Sequence, residues 1–318
     1  PSYLILVPAG SGSIYQNFSS HVVEMDDYTD GNGLRYWTYT YNGEYRAEVV
    51  RKSDGTNYVS SNYSIPNVVT KDGYAYSVVG IGSGAFRNCT TIQTVTLPNT
   101  ITAIRKGAFR GCTGLKGHIN LPISLNTISD SAYFGCDSIE MLTIPYDVTS
   151  IGKHAFRNCS RLSTMRYNAR NASYPATNIE TPFYNNIGLT TVQVLDSVIV
   201  IPDNFMYYCP MLNTLQIGAH VEQMGANAFY GCSRLTGVRW AAANCQFPAN
   251  ASQGPFYNKQ SITLIQLTTT VKKIPNNFAY GCSGLSNISI PNSVDTIGKF
   301  AFYNCTGLST LNTGASTK

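Results

Sequence analysis

The stretch Ile81–Cys89, which reads Ile-Gly-Ser-Gly-Ala-Phe-Arg-Asn-Cys, sets the pattern for most of the chain. It returns as Ile-Gly-Lys-His-Ala-Phe-Arg-Asn-Cys at Ile151–Cys159. The same frame begins again at Ile104, Ile128, Met224 and Ile297, and with its aromatic residue one place earlier at Ile201 and Ile274. A frame that recurs at regular intervals indicates a stack of equivalent units.

Eight of the nine cysteines fall on a grid that gives the length of the unit. Cys89, Cys112, Cys136 and Cys159 follow one another after 23, 24 and 23 residues, and the pairs Cys209–Cys232 and Cys282–Cys305 are each 23 apart. The two gaps of 50 residues each hold one unit of 23 and one of 27 that lacks the cysteine. A period between about 20 and 50 residues is typical of solenoids.

A block of three units has been duplicated with a period of 73 residues. Cys159, Cys232 and Cys305 are 73 apart, and so are Phe183 and Phe256 in the units without the cysteine. Both copies keep a longer middle turn, at 168–181 and 241–253. We expect these turns to depart locally from the regular geometry.

A short strand is predicted after each cysteine position, because apolar residues alternate there, as in Leu285–Pro291, which reads Leu-Ser-Asn-Ile-Ser-Ile-Pro. Proline ends the strand, since it has no N–H to pair. One unit cannot bury its own apolar residues, so neighbouring units must stack. Ten units at about 4.8 Å per paired strand give a parallel sheet about 45 Å long.

The residues before the repeats predict a β-rich N-terminal cap at 34–80, built on β-hairpins. Asn42-Gly43 and Asp72-Gly73 are strong signals for two-residue hairpin turns. A cap is needed because the first unit would otherwise expose its apolar face. Residues 1–33 contain clusters of Gly, Ser and Asp and no firm pattern. Their structure is left open between an extra pair of strands and a disordered leader.

The frame Ile-Gly-x-x-Ala-Phe-x-x-Cys, followed by an apolar strand and proline, resembles the BspA-like class of leucine-rich repeats. The resemblance extends from Ile81 to about Asn312 and is matched in ten successive units. It implies a curved, right-handed leucine-rich-repeat solenoid over 81–318, with a parallel sheet on one face and short strands and turns on the other. Proteins of this class are typically surface or secreted products of host-associated microbes and are linked with adhesion.

The composition argues against several kinds of partner. Charged residues are 12% of the chain, the formal net charge is +5 and no run of like charges occurs, so nucleic acid is not an expected partner. The apolar run Tyr3–Val7 is far shorter than the roughly 20 residues that span a bilayer, so membrane insertion is not expected either. The first residue is Pro1 rather than methionine, which favours removal of a leader and therefore export.

Neither the cysteines nor the other polar residues form a pattern typical of a catalytic or metal site. The cysteines on the grid would point inward in parallel, whereas metal ligands converge, so we expect reduced, buried thiols. Cys245 is left open between an exposed, reactive thiol and burial under its own loop, which is favoured. The four histidines are scattered and the acidic residues dispersed, so no enzyme activity, cofactor or metal is expected.

The candidate binding site is the outward side of the predicted sheet. One column of outward residues, which we call the polar row, is almost uncharged and consists of Thr96, Asn120, Thr143, Arg166, Gln193, Gln216, Arg239, Gln266, Ser289 and Asn312. Such a row suits an extended polypeptide or glycan held by many weak contacts, with Arg166 and Arg239 as the strongest anchors. The alternative is that these residues merely solvate the sheet.

Aromatic residues of the two long turns form a rival candidate site. Tyr167, Tyr174, Trp240 and Phe247 occupy equivalent positions in the two copies of the block. Paired rings of this kind are suited to stacking against sugars or protein side chains. The favoured alternative is that the same rings fill the core.

The resemblance therefore implies a non-enzymatic, adhesin-like binding protein, monomeric and located at the cell surface or secreted. Its expected partner is a host extracellular matrix protein or a protein of another cell surface, with a glycan as a further class. Two other functions stay open, which are a structural spacer that displays another domain and a glycan-binding module for nutrient capture.

Overall fold

The structure is a computed structural model that describes residues 5–8, 22–175 and 177–313. Parts of the predicted segment 1–33 and the last residues of the predicted solenoid, 314–318, lie outside this description. The described chain is a β-solenoid of about ten turns, built from parallel strands with almost no helix. The predicted fold class is therefore confirmed.

In the described part of the chain, seven strands precede the first complete unit, namely β1 (Ile5–Pro8), β2 (Val22–Thr29), β3 (Arg35–Tyr41), β4 (Glu44–Val50), β5 (Asn62–Ser64), β6 (Val68–Lys71) and β7 (Tyr74–Ile81). Strand β2 pairs with β1 in parallel and with β3 antiparallel, so two strands lie in the segment whose structure was left open. The pairs β3–β4 and β6–β7 are antiparallel hairpins, as predicted.

The two hairpin turns have the geometry that their sequences predict. Asn42 and Gly43 have φ angles of 50° and 79°, and Asp72 and Gly73 have φ angles of 53° and 82°. Positive φ at both central residues is characteristic of the type I′ turn, whose twist matches that of the flanking strands. Asn-Gly and Asp-Gly are favoured there because both residues tolerate left-handed backbone.

Seventeen further strands follow among the residues of the repeats that the structure describes. In chain order they are β8 (Thr94–Thr96), β9 (Ala103–Ile104), β10 (Gly117–Asn120), β11 (Thr127–Ile128), β12 (Ile139–Ile144), β13 (Ser150–Ile151), β14 (Thr164–Tyr167), β15 (Thr191–Val194), β16 (Val200–Ile201), β17 (Thr214–Ile217), β18 (Gln223–Met224), β19 (Gly237–Trp240), β20 (Leu264–Leu267), β21 (Lys273–Ile274), β22 (Asn287–Ile290), β23 (Thr296–Ile297) and β24 (Thr310–Thr313). Single-turn 3-10 helices lie in the two long turns, at Asn178–Glu180 and Ala251–Gln253.

The strands form two lines along the solenoid. The front sheet is made of the longer strands after each cysteine position, and its continuous part has the order β10-β12-β14-β15-β17-β19-β20. The back sheet is made of two-residue strands and continues the cap in the order β1-β2-β3-β4-β7-β9-β11-β13. The cap also supplies β5, which pairs with β8 of the front sheet. Cap strands therefore extend both sheets of the first unit.

An ion pair ties the cap to the repeats. The carboxylate of Glu48 on β4 is 2% exposed and accepts hydrogen bonds from Nε and Nη2 of Arg105 at 2.8 and 2.5 Å. The Tyr39 hydroxyl donates to the same carboxylate at 3.3 Å. The Arg105 side chain is 39% exposed, so it is the loss of Arg105 that would leave a buried charge, that of Glu48, uncompensated. The pair therefore favours a single placement of the cap on the solenoid.

Left-handed backbone explains why Gly and Asn alternate at one position of the frame. The residue just before each cysteine position has a φ angle between 52° and 76°, and the set is Asn88, Gly111, Gly135, Asn158, Asn185, Tyr208, Gly231, Asn258, Gly281 and Asn304. Gly and Asn are the residues that adopt this region most readily. The turn before every front strand thus has one repeated geometry.

A ladder of rings fills the centre of the solenoid. Phe86, Phe109, Tyr133, Phe156 and Phe183 are buried, and successive ring centroids lie 5.2, 4.9, 5.2 and 5.4 Å apart, with interplanar angles of at most 11°. Offset stacking of this kind adds roughly 0.5–1.5 kcal/mol per pair beyond the burial of apolar area. In-register stacking of the units therefore contributes directly to stability.

We expect Phe156→Ala to lower the free energy of unfolding by about 3–5 kcal/mol, because it removes a fully buried ring and leaves a cavity between two neighbours. Urea denaturation followed by circular dichroism measures the change. Phe300→Ala is the control, since the Phe300 ring is 61% exposed, and its effect should stay within about 0.5 kcal/mol. Equal effects of the two substitutions would contradict the ring ladder as a stabilising element.

Candidate functional site

The polar row lies in register on the front sheet. Backbone pairing places Asn120 beside Thr143, Thr143 beside Arg166, and so on through Gln193, Gln216, Arg239 and Gln266, and it places Ser289 beside Asn312. Thr96, on β8, pairs with Ser64 of the cap. Every member is exposed or half-buried, and from Asn120 to Ser289 the flanking residues are buried. The structure thus brings the predicted row together as one line of side chains, with a break between Thr96 and Asn120.

The two arginines of the row are unengaged. Within the described part of the chain, neither Arg166 nor Arg239 has a hydrogen-bond or ion-pair partner, and both side chains are exposed. Three inter-strand steps separate them, through Gln193 and Gln216. At about 4.8 Å per step, the two backbone positions lie about 14 Å apart. The row therefore presents two free guanidinium groups with two amides between them.

The aromatic residues at the two long turns pack in the core, as the favoured alternative predicted, and do not form an exposed stacking platform. Tyr167 and Trp240 have no exposed surface, and Tyr174 and Phe247 are half-buried against the main cluster. The rings of Tyr167 and Trp240 meet the edges of Phe205 and Phe278 at 4.8 and 5.1 Å.

These rings pack inward because the aromatic residue of the following unit is displaced in the frame. Phe205 and Phe278 come one position early in the frame, and they meet the next rings, Phe229 and Phe302, at 89° and 86° instead of stacking. The larger space that results is filled by the rings of the long turns. The alternative of core filling therefore describes these residues.

A partly exposed aromatic column, which the sequence reasoning missed, runs along the turns between the two sheets. It consists of the residue that follows each inward position of the frame, namely Arg87, Arg110, Phe134, Arg157, Tyr184, Tyr207, Tyr230, Tyr257, Tyr280 and Tyr303. The Tyr207 and Tyr230 rings stack at 5.0 Å, and the Arg157 guanidinium lies 4.9 Å from the Tyr184 ring centre. Tyr230 and Tyr303 are 51% and 53% exposed.

Several rings of the column stack on the rings of neighbouring units. Tyrosine surfaces of this kind supply large, rigid and amphipathic contact area at a low entropic cost. The signal was present in the sequence as a single position of the repeat that changes from Arg to Tyr along the chain. Comparison of this position across all the units predicts the aromatic column.

The thiols form a second internal ladder. All nine cysteines are free and buried, as expected, and Cys245 is also buried at 1% exposure. Each thiol of the grid from Cys112 onward donates to a backbone carbonyl oxygen of the preceding unit. Examples are Cys112 to Phe86 at 2.9 Å, Cys136 to Phe109 at 3.0 Å and Cys305 to Ala279 at 3.0 Å. In the first unit without cysteine, the buried side chain of Asn186 accepts from Cys159 N–H at 3.0 Å and donates to Phe183 O at 3.2 Å.

Burial makes these thiols poor nucleophiles. Desolvation raises the pKa of Cys112, Cys159, Cys245 and Cys282 to about 12 and that of Cys232 to about 11. The thiolate is the reactive form of cysteine, and it is disfavoured in all of them at neutral pH. The thiol ladder therefore has a structural role. Of the two alternatives for Cys245, the structure shows burial, which was favoured.

No constellation for catalysis or metal binding is found in the described ranges. There, no group of three or more His, Cys, Asp or Glu side chains is placed to hold a metal ion. His118 contacts Thr143 Oγ1 at 3.1 Å, and His154 and His220 contact the backbone oxygens of Ile179 and Asp196 at 3.0 and 2.8 Å. In the same residues, no helix has the length and apolar character that crossing a bilayer requires.

Stability should fall at alkaline pH because of the thiol ladder. A thiol whose pKa is about 12 when folded and near 9 when unfolded stabilises the fold fully below pH 9. That contribution is lost as the pH rises from 9 towards 12, by about 1.4 kcal/mol per pH unit for each thiol that ionises only in the unfolded chain. Urea denaturation at intervals between pH 7 and pH 11 measures this slope.

Cys159→Ala is the matched variant for the alkaline effect. It should be less stable than the native chain at pH 7, because it loses a buried group. Its stability should also decline less steeply above pH 9, by about 1.4 kcal/mol per pH unit. Identical slopes for the two chains would show that Cys159 does not carry the effect.

The fold and the free side chains of the front sheet define a repeat protein with a long, regular surface. A family model described as "BspA type Leucine rich repeat region (6 copies)" matches residues 79–174, 171–252 and 249–318. These ranges cover most of the chain, so the protein belongs to the BspA-type leucine-rich repeat family. The resemblance predicted from the repeated frame is confirmed.

Several solved structures of bacterial leucine-rich repeat proteins are similar to this chain. One from Bacteroides ovatus is 23% identical, over 92% of this chain and 88% of that one, with a TM-score of 0.39. The T. pallidum leucine-rich repeat protein is 23% identical over 66% and 87%, with a TM-score of 0.49. A leucine-rich cell surface protein of Faecalibacterium prausnitzii is 21% identical over 92% and 95%, with a TM-score of 0.34. A search of curated proteins found no match.

Proposed function

We propose that this chain is a non-enzymatic, adhesin-like binding protein that acts at the cell surface or after secretion. The polar row holds an extended segment of a host matrix protein or of a protein on another cell. Membership of a family of surface and secreted repeat proteins supports the location and the absence of catalysis. The exposure and register of the row support the choice of surface.

The observation that carries the proposal is the pair of unengaged arginines on a nearly uncharged row. Their backbone positions are about 14 Å apart, which equals about four residues of extended polypeptide at 3.4 Å per residue. Side chains four residues apart lie on the same side of an extended chain. A segment with carboxylates at positions i and i+4 therefore matches Arg166 and Arg239, while Gln193 and Gln216 bond the polypeptide between them.

Two other functions that the sequence leaves open are distinct outcomes of the same experiment. A structural spacer has no ligand on this row, and a glycan-binding module retains a carbohydrate. The lack of partners at Arg166 and Arg239 favours a ligand that carries negative charge. An acidic polypeptide meets that requirement directly.

The Arg166→Ala, Arg239→Ala double variant should bind its protein ligand about tenfold or more weakly, because two charge-assisted contacts are lost. The ligand is first sought in a panel of purified matrix proteins and on a glycan array. Affinity is then measured by biolayer interferometry at two salt concentrations. The salt dependence of binding should also decrease in the variant, since ion pairs are screened by salt.

The Arg161→Ala, Arg234→Ala double variant is the matched control. These arginines are also exposed and 73 residues apart, and they lie in the turns before β14 and β19 instead of on the sheet. The loss of charge is the same, so this variant should bind like the native chain. Equal weakening of both variants would indicate attraction by net charge alone. A complete lack of ligands would favour the spacer.

The aromatic column is tested by Tyr207→Ala with Tyr230→Ala. We expect binding to stay within about twofold of the native chain, because these rings lie on the turns away from the polar row. The same affinity measurement detects any change. A loss of binding in this variant, with unchanged binding in the Arg166→Ala, Arg239→Ala variant, would place the ligand on the aromatic column instead.

A further inference from the structure

The front sheet opens between β8 and β10. No ladder pairs these two strands, although β8 pairs with β5 on one side and β10 pairs with β12 on the other. They touch at their beginning, where Lys116 N–H donates to Gln93 O at 3.1 Å. Beyond that point most of their Cα atoms lie more than 8 Å apart. Paired strands lie about 4.8 Å apart, so the opening approaches the width of one additional strand.

An extra residue explains the opening. Three positions separate Ile92 from Val95, but four separate the equivalent Leu115 from Ile119. The additional residue is accommodated at Gly117, which has a φ of 73°, and the register of β10 against β12 shifts between Gly117 and His118. The same insertion gives the spacing of 24 between Cys112 and Cys136.

Backbone N–H and C=O groups of β8 and β10 face the opening from both sides and are available to pair with a further strand. Alternate residues of a parallel strand direct their N–H and C=O groups to opposite neighbours. Thr94 and Thr96 bond towards the cap, through Ser61 O and Ile65 N–H, so Val95 faces the opening. The residues equivalent to His118 in later units, Thr191 and Thr214, donate their N–H groups to the preceding unit, so His118 and Asn120 face the opening from the other side.

The floor of the opening is the core itself. A cleft of about 300 Å³ is lined by Val95, Leu97, Phe109, Leu115, Ile119 and Tyr133. Val95 and Leu97 are half-buried here, whereas their equivalents in the continuous sheet, such as Met165 and Tyr167, have no exposed surface. The sheet is also interrupted between β20 and β22, but Ile288 and Ile290 are only 1% and 2% exposed there. Only the first interruption therefore exposes inward-facing side chains of this kind.

We propose that the cleft between β8 and β10 binds an extended polypeptide segment, which pairs with the edges of both strands and places apolar side chains on the exposed core. The unpaired N–H and C=O groups of an open strand edge need hydrogen-bond acceptors and donors in alternation. The backbone of an extended polypeptide supplies both along its whole length. The apolar floor selects Val, Leu or Ile at alternate positions, since alternate side chains of a strand share one face. This site is distinct from the arginine pair of the polar row, although Thr96 and Asn120 border it.

The probe is a fluorescent peptide with the sequence of residues 188–196, Gly-Leu-Thr-Thr-Val-Gln-Val-Leu-Asp, which forms a front strand of this same solenoid. Fluorescence anisotropy with the whole native chain should show saturable binding. The same peptide methylated on alternate backbone nitrogens should bind about tenfold or more weakly, because it cannot donate those hydrogen bonds. Absence of binding by the unmethylated peptide, or equal binding by both peptides, would overturn strand addition.

Two variants of the protein test the location. Deletion of Gly117 restores the spacing of 23, should allow β10 to pair with β8, and should reduce peptide binding about tenfold or more. If that variant does not fold by circular dichroism, Val95→Asp decides the question by placing a charge on the apolar floor. Its control is Ile123→Asp, at a residue that is 71% exposed and follows β10.

Val95→Asp should lose the peptide, and Ile123→Asp should retain it. The Arg166→Ala, Arg239→Ala variant should also retain the peptide, so failure of the polar row and failure of the cleft give different results. Unchanged binding in Val95→Asp would overturn the proposal.

Discussion

The structure depends on one constraint, which is that successive units stack in register so that each inward side chain meets its own equivalent. Ring lies on ring, as in Tyr133 and Phe156 at 5.2 Å, and each thiol of the grid from Cys112 onward reaches a carbonyl of the unit before it. A unit of this length buries little by itself, and its neighbours supply the rest of its core. The ladders persist where the length of the unit changes, since the rings of Phe109 and Tyr133 still stack at 4.9 Å across the 24-residue spacing.

The same register organises the surface. Residues at one position of the frame become a continuous column, whether they are the amides and arginines of the polar row or the rings of the aromatic column. A ligand that extends along several units then meets the same chemistry at every step of about 4.8 Å. Binding by such a surface depends on the spacing of its few distinctive residues, here Arg166 and Arg239.

Departures from the period have consequences that differ with their position. The two 27-residue units carry their additional residues in turns, where Tyr174 and Phe247 fold inward beside Tyr167 and Trp240 of the preceding strands and fill the space left by a displaced ring. The single additional residue near Gly117 falls within a strand, where no side chain can compensate for a lost ladder. The insertions in the turns therefore keep the core closed, whereas the insertion in the strand opens it.

The sequence by itself determined the unit, its strands, the two hairpins, the buried thiols and the polar row, because these follow from local patterns that repeat many times. It did not determine whether the rings of the long turns lie inside or outside, since that depends on the space left by Phe205 and Phe278. Stacking of exposed tyrosines and the opening beside Gly117 were likewise decided by the tertiary structure. Both depend on distances between units, which no single unit encodes.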